Sequence, residues 1–191
     1  MSELSLLKLL QVSDSAFPSG SFAFSNGLET IVKESHFKNS RDLEDLMIDQ
    51  VAARWFEFDR YFINQAFLCA GSISELKNLD VSCHIQNTNE ALALASRRIG
   101  RSLITVHKKL QTKNITEFSN AVYQGGNNEE TGYEPVVRGL IGWSLNLSLG
   151  ETEIGALFGT VSAFSSVAVR MNIIGALEAQ QIIADALPKL C

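Results

Sequence analysis

Proline is scarce in this chain. Only Pro18, Pro135 and Pro188 interrupt 191 residues, which leaves long stretches free to continue as helix. Cysteine is scarcer in any useful pattern. Cys69, Cys83 and Cys191 are odd in number, widely spaced and without a CxxC pair. That suits reduced thiols better than a disulfide framework. Excess positive charge is missing too: 16 Lys and Arg stand against 21 Asp and Glu, a net charge of −5. A broad nucleic-acid-binding surface is disfavoured on that balance. No apolar run is long enough to span a bilayer. The longest charge-free stretch, Ile154 to Val169, has 16 residues including two Gly, one Thr and three Ser. A span needs about 20 apolar residues, so a buried helix is expected. Residues 1–12 carry Glu3 and Lys8 within an amphipathic pattern, not a basic segment followed by an apolar one. No targeting signal is expected there, and the cytoplasm is the expected compartment.

Catalytic patterns are equally thin. Nothing matches GxxxxGK[ST] or GxGxxG, so no nucleotide hydrolysis by the chain itself is expected. No HxxxH, CxxC or ExxH pair supplies metal ligands. Cys83 and His84 are adjacent and their side chains diverge. Ala23-Phe24-Ser25-Asn26-Gly27 superficially resembles a nucleophile elbow, but that motif needs a strand before it and a His base. A hydrolase using Ser25 stays as an alternative; no catalytic residue, metal or cofactor is expected.

What is present is helical spacing. Alternating strand-like runs are rare, while apolar residues recur at three and four throughout. Leu4, Leu7 and Val12 begin the pattern, and Phe24, Leu28, Ile31 and Val32 resume it. Leu43, Leu46, Met47, Val51 and Trp55 share a face of a helix starting at Asn39 or Ser40. That helix is expected to run on, or kink, into 58–70. Four box-like caps mark helix starts: Ser72…Glu75, Asn87…Glu90, Asn114…Glu117 and Ser148…Glu151. Segments 136–147 and 152–169 are apolar on most faces and are expected at a bundle centre or an oligomer interface. Gly155 and Gly159 would let another helix approach. A last helix is expected over 174–187, ending before Pro188. The expected fold is all-α: one domain over 1–191, a compact bundle of roughly eight to ten helices.

Two stretches stand out. Within 87–110, Leu92, Ala95, Ile99, Leu103, Val106 and Leu110 line one face, and Arg97, Arg98, Arg101, Lys108 and Lys109 the other. The basic face is either a solvated helix surface or an electrostatic docking strip for an acidic partner. Near the N-terminus, no charged residue falls between Asp14 and Glu29, a segment that holds Phe17, Pro18, Gly20, Phe22 and Phe24. It reads as a sharp helix–turn–helix corner, the first helix stopping at Phe17 ahead of Pro18. Such a corner is either tucked into the core or presented to a partner.

The corner resembles the signature of the urease accessory protein UreF family, approximately L-Q-x-x-D-S-x-F/L-P-x-G-x-F/Y-x-H/F-S-x-G-L-E. Leu10, Gln11, Asp14, Ser15, Phe17, Pro18, Gly20, Phe22, Ser25, Gly27, Leu28 and Glu29 fall on it. Ala95 to Leu103 is similar to the family's S-R-R-M-G-R-x-L helix. Pro135-Val136-Val137-Arg138-Gly139 is similar to its P-V-V-x-G helix start, and Ala168, Val169, Arg170 and Gly175 fall on its A-V-R-L-x-P-L-G-Q segment. Departures are Phe24 at a position commonly His, Tyr133 where His often precedes Pro-Val-Val, and Ile173 and Ala176 in place of Pro and Gln. The sequence ends at Cys191, short of the family's C-terminal tail, which helps dock UreD (also called UreH).

The resemblance implies a non-enzymatic, all-helical cytoplasmic homodimer. It would join UreD/UreH, the GTPase UreG and urease apoprotein as scaffold and GTPase modulator during nickel insertion. Nucleotide and metal would belong to the partners. The partner-binding residues it implies are Phe17, Pro18, Ser19, Gly20, Phe22, Phe24, Ser25, Glu29, Arg97, Arg98, Arg101, Tyr133 and Arg170. A generic helical interaction module unrelated to urease is the other reading left open.

Overall fold

A computed structural model describes residues 2–21, 28, 40–123 and 131–191. Apart from Leu28, which is helical and buried, the expected helix around 24–34 lies outside the described residues, as does the Gly125–Glu130 loop. Among those described there is no strand. The helices are α1 (Glu3–Ser13), α2 (Ser40–Arg54), α3 (Arg60–Leu68), α4 (Ile73–Gln86), α5 (Glu90–Lys109), α6 (Ile115–Tyr123), α7 (Glu134–Ser144), α8 (Leu149–Arg170) and α9 (Ala176–Leu190). The all-α bundle expected from the spacing is what forms.

Local chemistry explains most boundaries, and corrects some. Ser148 and Glu151 form the full reciprocal box at the start of α8: Ser148 N donates to Glu151 Oε2 at 2.7 Å and Glu151 N donates to Ser148 Oγ at 3.2 Å. Ser72 caps α4 through Glu75 N at 3.4 Å. The box expected at Asn87 is displaced by two residues. Asn89 caps α5, accepting from Leu92 N at 3.1 Å, while Asn87 closes α4 and accepts from Arg54 Nη1 at 3.3 Å. Asn114 precedes α6 with φ +62° and sends its side-chain N–H to Ala70 O at 3.1 Å, so its side chain is spent elsewhere. The first helix stops at Ser13, not Phe17, because Asp14 turns extended and its Oδ1 accepts from Ala16 N at 2.6 Å. At the other end α9 runs through Pro188 to Leu190, past the expected stop. Pro188 lies in the final turn, where the bond it cannot donate is one that a fraying end holds weakly.

α2 and α3 form one continuous rod. The expected run-on is realised by a π turn over Trp55–Asp59, in which Arg60 N–H reaches back to Trp55 O. This rod joins the two halves of the core. Phe62, with Phe118, Tyr133 and Leu140, belongs to a cluster built by α3 to α7. Its neighbour Ile63 belongs to a second, with Met47, Trp55, Val161 and Ile183 from α2, α8 and α9. Gly139 allows α7 to lie directly on α3, since a Cβ there would meet Ile63 O and come within 2.7 Å of Ala66 Cβ. Gly155 admits Leu9 of α1, whereas Gly159 faces only the Arg138 guanidinium, 3.7 Å from where a Cβ would stand. α8 is apolar and 22 residues long, enough by length and composition to cross a membrane, but 56% of its most apolar stretch is buried in the fold. It is a core helix that keeps Ile154 and Phe158 towards the surface.

Candidate functional site

The corner after α1 is laid along the flank of α5. Phe17 N donates to Asp14 O at 2.9 Å and Ser19 N to Phe17 O at 2.7 Å, which folds the chain tightly. Phe17 is only 8% exposed and its ring lies 5.5 Å from that of His107. Ser19 and Ser21 are buried and share a hydroxyl–hydroxyl bond of 2.7 Å. Gly20 adopts φ +78°, and a Cβ there would sit 3.3 Å from Ser102 Oγ of α5. Of the corner's described residues, Pro18 alone among the expected contact positions faces fully outward. Phe17 and Ser19 are buried and support the turn from within. Phe22, Phe24, Ser25 and Glu29 lie outside the described residues.

The basic face of α5 divides in two. Arg98 and Arg101 are exposed, as are Lys108 and Lys109. Arg97 turns inward: its Nη1 donates to Tyr133 Oη at 2.7 Å, with the guanidinium carbon 5.5 Å from the Tyr133 ring. Tyr133 is 0% exposed, and its hydroxyl also bonds His84 Nδ1 at 2.9 Å. Within this chain Tyr133 is the centre of a buried polar knot. Arg170 ends α8 on the opposite cluster, away from the corner and exposed. The structure thus lays the corner against Ser102 and His107 of α5, with Arg101 turned to Tyr123 and Arg170 apart at the end of α8.

The knot contains residues that sequence reasoning did not single out. Asp80 is fully buried and accepts from Gly132 N and Tyr133 N, each at 2.8 Å. Burial pushes its carboxyl up to about 6, against the pull of those two N–H groups. Gly132 holds φ +81° beneath the Tyr123 hydroxyl, and Ser96 Oγ accepts from Glu134 N at 3.1 Å. One signal was readable: Asp80 lies between Leu76 and Cys83 at spacings of four and three, an acid on an apolar stripe.

On the other flank of α5 a cavity of about 370 Å³ opens between α2, the π turn, α7 and α8. Trp55, Ile99 and Phe164 line it, with two internal ion pairs. Arg54 Nε meets Asp59 Oδ1 at 3.0 Å, and Arg138 Nε meets Glu134 Oε1 at 2.7 Å. Burial raises Asp59 to about 6 although Arg54 opposes it. His107, beneath Phe17, bonds Thr112 Oγ1 at 2.8 Å and is lowered to about 4 by burial and by Arg138. No group of three His, Cys, Asp or Glu side chains converges on a metal position among the described residues. The assembly offers a partly charged surface and no convergent nucleophile–base pair among those same residues.

A family model described as UreF matches residues 37–187. This chain belongs to the UreF family. The match begins beyond the corner, so the α5, α7 and α8 blocks lie within it. Similar UreF-family relatives include the urease accessory protein UreF of Trichodesmium erythraeum (strain IMS101), 26% identical over 198 residues, covering 96% of this chain and 79% of that one. The protein of the same name from Bacillus sp. (strain TB-90) is 28% identical over 189 residues, covering 97% and 82%. That of Haemophilus influenzae (strain ATCC 51907 / DSM 11121 / KW20 / Rd) is 23% identical over 180 residues, covering 93% and 75%.

Proposed function

We propose that this chain is a non-enzymatic urease accessory protein, a scaffold and GTPase modulator in nickel-dependent maturation of the urease metallocentre. It bridges a UreD/UreH-type accessory protein, a UreG-type GTPase and urease apoprotein, as a homodimer in the cytoplasm. The observation that carries the reading is the UreF family match across residues 37–187. The corner at residues 17–20 and the adjoining edge of α5 supply the contact surface. Phe17 and Ser19 shape it from below, while Pro18, Arg98 and Arg101 present themselves to the partner.

The test is a deletion strain. Urease polypeptide should accumulate at normal levels, without nickel and without activity, and the chain supplied in trans should restore both. Normal nickel content in urease from the deletion strain would overturn the reading. Co-purification with apoprotein and the two accessory partners checks the bridging role separately.

A further inference from the structure

We infer that the outer edge of α5 is a docking strip for an acidic surface on another protein, and not the place where two copies of this chain meet. The inference rests on the reading that the chain works by binding other proteins. Leu94, Arg98, Arg101, Thr105 and Lys108 recur at spacings of four, three, four and three, which puts them on one helical face, with Lys109 beside it. All six are exposed. At about 1.5 Å per residue, Arg98 to Lys109 spans roughly 16 Å.

The strip gathers several cations on one exposed face. Elsewhere Arg54 is matched with Asp59, Arg60 with Glu153, Arg138 with Glu134 and Lys189 with Glu44, while Lys8 donates to Leu145 O and Lys113 lies over the Trp143 ring. Along the strip no described residue forms an ion pair with Arg98, Arg101, Lys108 or Lys109. Arg101 leans on the Tyr123 ring at 5.6 Å and Lys108 Nζ reaches Ser119 Oγ at 3.4 Å; both contacts orient a cation without neutralising it. No Asp or Glu occurs from Ala91 to Thr116, in a chain of net charge −5. Beyond Glu90 in its first turn, α5 carries no acid. Among the described residues no carboxylate matches the strip, and the complementary charge is assigned to the partner.

Shape and symmetry narrow the occupant. Leu94, 41% exposed, stands at the N-terminal end of the strip and offers an apolar anchor beside the charges. Acidic residues at helical spacing with a flanking apolar side chain would complement it. A two-fold contact centred on the strip would set it against itself, cation facing cation. A nucleic acid would want a wider basic field and exposed aromatics for stacking, and this edge carries neither.

The test uses the full chain, the triple variant Arg98→Glu/Arg101→Glu/Lys109→Glu, and the double variant Arg98→Glu/Lys109→Glu, which spares the Tyr123 contact. Circular dichroism and thermal melting establish that the exposed substitutions leave the fold intact. Binding is measured to each purified maturation partner, to a synthetic helix with Glu at four-three spacing and Leu at one end, and to a 20-base-pair duplex. The wild type should bind the peptide and at least one partner, with both variants weakened about tenfold or more at low salt and the gap closing at high salt. Charge reversal on that partner's carboxylates should recover the loss. Unchanged affinity of the variants for peptide and partners alike overturns the strip but leaves the maturation role standing. Tighter binding to the duplex than to the peptide, or a dimer that dissociates in the double variant, also overturns it. Peptide binding without any maturation partner would support the strip and count against the urease reading.

Discussion

The Arg97 guanidinium and the Tyr133 hydroxyl are 2.7 Å apart, which draws one member of an otherwise exposed basic run into the protein. Arg97 and Arg98 are consecutive in sequence and face different environments. One braces the start of α7 against α5; the other meets solvent.

Tyr133→Phe removes a hydroxyl and leaves Arg97 and His84 without it. The loss should be about 1–2 kcal/mol of unfolding free energy, from two hydrogen bonds to partly buried partners. Arg98→Ala, by contrast, should stay within about 0.5 kcal/mol of wild type. Urea denaturation of both variants measures the contrast, and equal losses would contradict the division of the basic face.

Asp80→Asn keeps the side-chain size but presents an amide donor to one of two backbone donors. Gly132 N and Tyr133 N bond different carboxylate oxygens, so in the present geometry one of them would face the new NH2, donor against donor. A destabilisation of about 1–3 kcal/mol is expected. Hydrogen exchange should locate the loosening at Gly132 and Tyr133 and in the first turn of α7, not across the whole protein.

The pH response follows from two buried groups, Asp80 and His107, and one partly buried group, Asp59. Asp59 and Asp80, raised from 3.8 to about 6, favour the folded state fully below 3.8, and that contribution is lost as pH rises through about 6. His107, lowered from 6.5 to about 4, contributes above 6.5 and loses that contribution as pH falls through about 4. Between pH 4 and 6 the two effects oppose. Asp59→Asn removes one carboxyl, so its stability relative to wild type should rise from pH 4 to pH 7. A difference that is flat with pH would contradict the assignment.

Phe17 tests whether the corner is core. At 8% exposure and in contact with His107, Phe17→Ala should lower stability by about 3–5 kcal/mol. Pro18→Ala, on the exposed side of the same turn, should change stability little. At matched concentrations of folded protein, Phe17→Ala should bind partners more weakly only to the extent that the corner itself is displaced.

Much of the fold was legible because it depends on neighbours in sequence. The Ser148–Glu151 box is complete within four residues, and the α5 stripe is set by helical pitch alone. The misplaced start of α5 has a local cause as well: Asn87 and Asn89 are both good caps, and the contact with Arg54 decides between them. The site was less legible. Asp80 and Tyr133 are 53 residues apart and meet only after α4 and α7 pack. The inward turn of Arg97 likewise needs a hydroxyl delivered from another helix.

By itself the sequence determined an all-helical chain, most of its helix starts, an acidic balance with one basic edge, and a family resemblance carried by four ordered blocks. These follow from periodicity, capping and composition, which act over a few residues. Only the tertiary structure decided that Phe17 supports the corner from within, that Tyr133 is a buried knot, and that Arg98 and Arg101 stay outside while Arg97 does not. Burial and hydrogen-bond partnership depend on which helices come to lie side by side, and that is a property of the packed chain.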